Sequence, residues 1–207
     1  MTTLTTMRAS VRCDLKDEDA DNYRWTNDEI DRAIEKAVLV YSEYCPLEQL
    51  TASINTVDQG NTVDISTLTD RIDVLKVEHP IDEEPYQSRR FKVWGDVLTF
   101  QDGYVGDGAA CNIYWQKKHS LSTTSTVPTA HDHIIAMGAV AFAVSSQAQY
   151  QVNLANTGGQ KVNKDYNYWA KSAFEAFYDH LDRVKGFTTK TAVTGKKIVT
   201  GSLIVEE

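Results

Sequence analysis

His131-Asp132-His133 is the tightest grouping of proton-carrying and metal-ligating side chains in this chain of 207 residues. On a helix, residues two apart point to different faces, so the two imidazoles are poorly placed to share one metal ion. The triplet follows Pro128-Thr129, and Asp132 suits the positive end of a helix that begins there. We read it as a helix entrance and expect no metal. Gly158-Gly159 with Lys161 comes nearest to a phosphate-cradling loop, but Gly-x-x-x-x-Gly-Lys-Ser/Thr occurs nowhere. No Gly-x-Ser-x-Gly elbow surrounds a serine, and Cys13, Cys45 and Cys111 carry no protease signature. Asp17-Glu18-Asp19-Ala20-Asp21 lacks the central glycine and closing glutamate of a calcium loop. These residues argue against an enzyme and against a bound cofactor or metal.

The aromatic residues point instead to docking. Trp25 stands just before Thr26-x-x-Glu29, a capping box in which hydroxyl and carboxylate satisfy each other's backbone amides. Behind it, Ile30, Ala33, Ile34, Ala37, Val38, Tyr41 and Tyr44 recur at spacings of three and four, one apolar stripe on a helix over 27–45. Pro46 stops that helix. Tyr166, Trp169, Ala170, Ala173, Phe174, Phe177, Leu181 and Val184 make a second, broader stripe over 163–185, closed by Gly186. We expect Trp25, Tyr41, Tyr44, Tyr166 and Trp169 to serve core and interface. A base-stacking role for the last stripe fits an acidic protein poorly.

Two further helices complete the body. Leu4, Met7, Val11 and Leu15 predict one over 3–15. Ile134, Ile135, Met137, Gly138, Ala139, Ala141, Phe142 and Ala143 predict an apolar one over 131–153, rich in small residues that allow close approach. Between Asp14 and Asp31, eight acidic residues face two basic ones; we read this as a solvated loop and helix start.

From Thr51 to about Lys118 the period changes to two, the mark of strands. Candidates are Ser53–Val57, Thr62–Ile65, Ile72–Val77, Arg90–Trp94, Val97–Phe100 and Cys111–Trp115, with Trp94-Gly95-Asp96-Val97 as a tight hairpin. Ser120 to Thr129 is a Ser/Thr/Pro linker. The fold class is therefore α+β: a helical bundle body (1–50 and 128–186) with an antiparallel β insertion at 51–119. The last segment, 187–207, is β-prone and basic, so we expect an extended tail. Lys196 and Lys197 form its turn, and Ile198 and Val199 belong to an arm able to pair with a sheet edge.

A formal charge of −8 argues against general nucleic-acid binding, which needs cations to displace counterions from phosphates. Three cysteines without paired spacing predict reduced thiols and an intracellular site of synthesis. The start of the chain lacks the basic and apolar regions of a signal peptide. The longest apolar run, Ile134 to Val144, is too short for a bilayer. The expectation is a soluble protein without a membrane partner.

The order of segments resembles the head–tail adaptor (connector) proteins of tailed bacteriophages. The resemblance is carried by Leu4-x-x-Met7-x-x-x-Val11-Arg12-x-Asp14-Leu15 and by Asp21-Asn22-Tyr23-Arg24-Trp25-Thr26-Asn27-Asp28-Glu29-Ile30-Asp31-Arg32-Ala33-Ile34. Further parts are Ile72-Asp73-Val74-Leu75-x-Val77-Glu78-x-Pro80, Phe91-x-Val93-Trp94-Gly95-Asp96 and Asn156-Thr157-Gly158-Gly159. It covers about residues 3 to 185. It implies a structural neck protein of the virion, made in the bacterial cytoplasm. Such proteins form a ring, commonly twelve-fold, below the portal protein and above a tail or nozzle protein. Genomic DNA then passes through the ring without sequence-specific binding, and an acidic wall keeps it mobile by repulsion. The competing reading is a receptor- or glycan-binding tail component, a β module on a helical stalk, presenting Tyr86, Tyr104 and Trp115.

Overall fold

A computed structural model describes the backbone of residues 2–81, 83–85, 87–101, 103–155 and 162–199. Side chains are described for these except 53, 151–155, 162–165 and 186–199. The protein is α+β, and the described residues form four α-helices and two antiparallel sheets. It divides into a helical unit, 1–45 with 119–207, and a β unit, 46–118.

In the helical unit, α1 (Leu4–Leu15) is capped by Thr3, whose side chain accepts from the Thr6 amide. It ends where Lys16 turns left-handed at φ 55°. Helix α2 (Asn27–Tyr44) starts at the capping box read from sequence. The Glu29 amide donates to Thr26 Oγ1 (3.3 Å), and the Thr26 amide donates to Glu29 Oε2 (2.8 Å). A 3-10 turn, Thr129–His131, leads into α3 (Asp132–Ala155), which touches α1, α2 and the last helix, α4 (Val162–Val199).

One core results, built from Met7, Val11 and Leu15, then Ile30, Ile34 and Tyr41, then Ile134, Ile135 and Val144, then Phe177 and Leu181. Gly138 is what lets α3 sit at its centre. A Cβ there would lie 2.7 Å from two ring carbons of Phe177 and 3.0 Å from Ala37 Cβ. Among the described residues no helix is long and apolar enough to cross a membrane.

Helix α4 corrects the expected tail. The backbone stays helical through Gly186 to Val199, so Lys196, Lys197, Ile198 and Val199 lie on a helix rather than on a hairpin. Thr and Val favour strands, but that preference spans only about 1 kcal/mol and yields to context. A glycine costs about 1 kcal/mol inside a helix, while each added residue of a nucleated helix gains a hydrogen bond. Residues 200–207 lie outside the described residues, as do Asn156-Thr157-Gly158-Gly159 and Lys161.

The β unit contains β1 (Leu47–Asn55), β2 (Thr62–Asp64), β3 (Arg71–Glu78), β4 (Ser88–Arg89), β5 (Phe91–Trp94), β6 (Val97–Phe100) and β7 (Ala110–Lys117). One sheet has the order β1-β7-β3-β4 and the other β2-β6-β5. Strand β1 starts four residues before the expected boundary. It is drawn into register by β7, where Leu47 pairs with Lys117 and Leu50 with Tyr114. Two-residue β4 was not expected, since so short a pairing leaves no period to detect. Val63, Ile65, Val77, Leu98, Phe100, Cys111, Ile113 and Trp115 fill the core between turns. Hairpin β5–β6 turns at Gly95-Asp96, with Gly95 at φ 57°, a left-handed value that glycine takes at little cost.

Candidate interaction surfaces

The aromatic residues singled out from sequence are mostly interior. Trp25 is 2% exposed and its Nε1 donates to the Ala143 carbonyl at 3.2 Å, tying the entry of α2 to α3. Tyr41 is buried, and its hydroxyl lies 2.6 Å from His131 Nδ1. Burial pushes that phenol well above the usual tyrosine range. Tyr44 is half-buried beside Tyr178, with the Lys185 ammonium 5.2 Å from its ring. Tyr166 stacks on Trp169 at 6.3 Å and its hydroxyl accepts from Arg24 Nη1 at 2.9 Å. These groups join helices to one another.

The acidic loop is less solvated than its composition suggests. Asp17 is buried and accepts a hydrogen bond from Arg12 Nη1 at 2.7 Å. Its two oxygens also accept from the amides of Arg24 (2.7 Å) and Trp25 (3.2 Å). Arg12 reaches on to the Trp25 carbonyl (3.0 Å) and Asn27 Oδ1 (2.9 Å), and the Tyr23 ring covers it at 3.4 Å. This knot fixes the loop that delivers Trp25 to the core. No local pattern marks it, because its partners lie 5 to 15 residues from Arg12.

Chemistry-bearing residues are spread out. His131 is committed to Tyr41, and His133 packs edge-on against His180 at 5.7 Å. Asp132 Oδ2 accepts from Thr2 Oγ1, while Asp132 Oδ1 is buried without a partner. A cleft of about 560 Å³ lies here, lined by Thr6, Ser10, Asp14, Asp132 and His133. Among the described residues no three His, Cys, Asp or Glu side chains cluster as a metal would require. The cysteines are unpaired, and burial raises the Cys111 thiol to about 11, which keeps it protonated at neutral pH.

In the β unit, fully buried His79 meets the Tyr104 hydroxyl at Nδ1 (2.6 Å) and stands 3.3 Å from Asp107 through Nε2. The Tyr104 hydroxyl is thus tied to a buried imidazole, while Nε2 stands near Asp107 without a hydrogen bond among the described residues. Of the aromatics expected to be exposed, Trp115 is 6% exposed and donates to Thr51 Oγ1 at 3.0 Å. It belongs to the core because odd positions of β7 point inward. Tyr104 lies under the Arg89 guanidinium at 4.1 Å, and Tyr86 is outside the described residues.

Among the described aromatic residues of the β unit, Trp94 is the exposed one instead, at 78%. Alternation along β5 places Arg90, Lys92 and Trp94 on one outer face, while Phe91 and Val93 pack against the module core. Lys92 Nζ sits 5.9 Å over the Trp94 ring. Across the sheet, Trp94 pairs with Val97 and Lys92 with Thr99. The Arg-x-Lys-x-Trp pattern was present in the sequence. Its meaning depended on which face of the strand is covered.

Neither a protein-family model nor a curated protein sequence matches this chain.

Proposed function

We propose that the chain is a structural subunit of a bacteriophage neck, a ring-forming adaptor between the portal vertex and the tail, and not an enzyme. The observation that carries this reading is the arrangement of the helical unit. Two separate chain segments, 1–45 and 119–207, share one core, and a β unit with its own core is inserted between α2 and α3. That order suits the resemblance of residues 3 to 185 to head–tail adaptors. The committed state of the ionisable residues supports a scaffold: Arg12, Asp17, His79 and His131 each bond to neighbouring backbone or side chains. The net charge of −8 suits a wall past which DNA slides.

Electron microscopy of the purified chain mixed with a portal ring tests this. A ring of copies seated on the portal is the expected result, and a particle that stays small and unattached would refute it. The receptor-binding alternative predicts glycan or cell-surface binding by the chain, with Trp94 as the accessible aromatic in place of Trp115.

A further inference from the structure

We propose that copies of this chain join head to tail through two patches of opposite charge. The face of β5 that carries Arg90, Lys92 and Trp94 on one copy receives loop 18–23 of the next. Trp94 and Tyr23 form the aromatic centre of the contact, and Arg90 and Lys92 meet Glu18 and Asp21 around it.

The first ground is the outer face of β5. Trp94 is 78% exposed and its cross-strand neighbour Val97 is 45% exposed, so an apolar step stands in solvent beside the hairpin turn. Arg90 and Lys92 follow on the same face at spacings of two, and both are exposed. Among the described residues neither makes an ion pair. In a chain of net charge −8, two such cations beside a bare tryptophan are a local exception. Interface hot spots are rich in tryptophan and arginine, and a surrounding rim keeps water from them.

The second ground is the loop between α1 and α2. Asp17 is buried against Arg12 and accepts the amides of Arg24 and Trp25. Asp19 takes the Asp21 amide at 3.2 Å and the Asn22 side-chain amide at 3.0 Å. These bonds fix the loop, so little conformational freedom is lost when it docks. They leave Glu18 and Asp21 exposed, and among the described residues neither carboxylate has a bonded partner. Tyr23 has one ring face under the Arg12 guanidinium and is 42% exposed.

The two patches share one plan with opposite sign: an aromatic ring flanked by two unpaired charges. Each supplies what the other lacks. Aromatic pairs stabilise a contact beyond the area they bury, and complementary charges at its rim select the partner and speed its approach. A contact between two different surfaces of the same chain is heterologous, the type that closes copies into a ring. The inference deepens the neck reading and rests on it only for closure of the copies on a portal.

The test follows full-length chains by sedimentation equilibrium at concentrations up to roughly 1 mM. Self-association that weakens with added salt is expected. Trp94 lies outside the core, so Trp94→Ala should keep the fold and raise the dissociation constant about tenfold or more. One further chain carries Arg90→Glu with Lys92→Glu, and another carries Glu18→Lys with Asp21→Lys. Each alone should associate roughly tenfold more weakly. An equimolar mixture should regain the affinity, because every contact between unlike chains then pairs opposite charges. A chain that stays monomeric over the whole range would overturn the proposal, as would an unchanged constant for Trp94→Ala or no recovery on mixing. Reversals that shift the thermal midpoint of the monomer together and leave association alone would place the contact within one chain. Trp94→Ala that spares self-association and abolishes attachment to a portal ring would give this face to the portal; either result sinks the copy-to-copy contact. Recovery on mixing without portal attachment sinks the neck reading and leaves the contact standing. Portal-seated rings formed equally well by the Trp94→Ala chain sink the contact alone.

Discussion

At the scale of single residues, the most consequential group is Arg12, which has no surface role. It holds Asp17, the Trp25 carbonyl and Asn27 while buried. Replacing it with alanine leaves the Asp17 carboxylate in the interior with only amide partners. We expect Arg12→Ala to lower unfolding free energy by about 3–5 kcal/mol in urea titration, more than a surface ion pair at ~0–1 kcal/mol would cost. Trp25→Ala should cost a similar ~3–5 kcal/mol through lost packing. An unchanged denaturation midpoint would refute its burial. His119 and His131 supply a pH dependence. Burial is the first cause that holds both imidazoles below 6.5 in the folded chain, whereas they titrate near 6.5 when unfolded. The unfolded chain therefore gains protons first as pH falls through that value. Stability from the neutral rings is present above about 6.5 and is lost on acidification. The thermal midpoint should drop between about pH 7 and 5.5, and His119→Gln with His131→Gln should flatten the slope.

At the scale of elements, helix α3 is decided by its small residues. Gly138→Ala gains up to about 1 kcal/mol of helix propensity. It also drives a methyl to 2.7 Å from Phe177, an overpacking that costs ~1–3 kcal/mol. We expect a net loss of stability, restored in part by Phe177→Leu, with both read from denaturant midpoints. The helix ends were legible where side chains cap them: Thr26 with Glu29 marked the start of α2 to the residue. The end of α4 was not. Gly186 is a common stop, but a glycine does not compel one, and the Thr-rich sequence after it follows the helix already under way.

For the whole molecule, the two cores make distinct predictions. Residues 46–118 contain a core cluster of their own, in which Val63, Ile65, Leu98, Cys111 and Ile113 are fully buried. Expressed alone, this segment should unfold in one cooperative transition with strand-type circular dichroism. A non-cooperative melt would show that its core depends on the helical unit. The helical unit makes the converse demand, since α1 and α2 must meet α3 across an insertion of more than seventy residues. Closing such a loop adds only slowly to the entropic cost, so a long insertion is compatible with a single core.

By itself the sequence determined the α+β class, the capped amphipathic helices and the period-two stretch, since each depends on neighbours a few residues away. Capping boxes, stripes and the Gly95 turn are local physics. Tertiary structure alone decided which face of each strand is covered. That is why Trp115 is interior while Trp94 stands in solvent, although both lie in alternating segments with the same period. It also decided that Asp17 is a buried anchor within an acidic stretch, because the guanidinium that stabilises it arrives from another element. Burial and charge pairing depend on which elements meet, and no window of sequence contains that information.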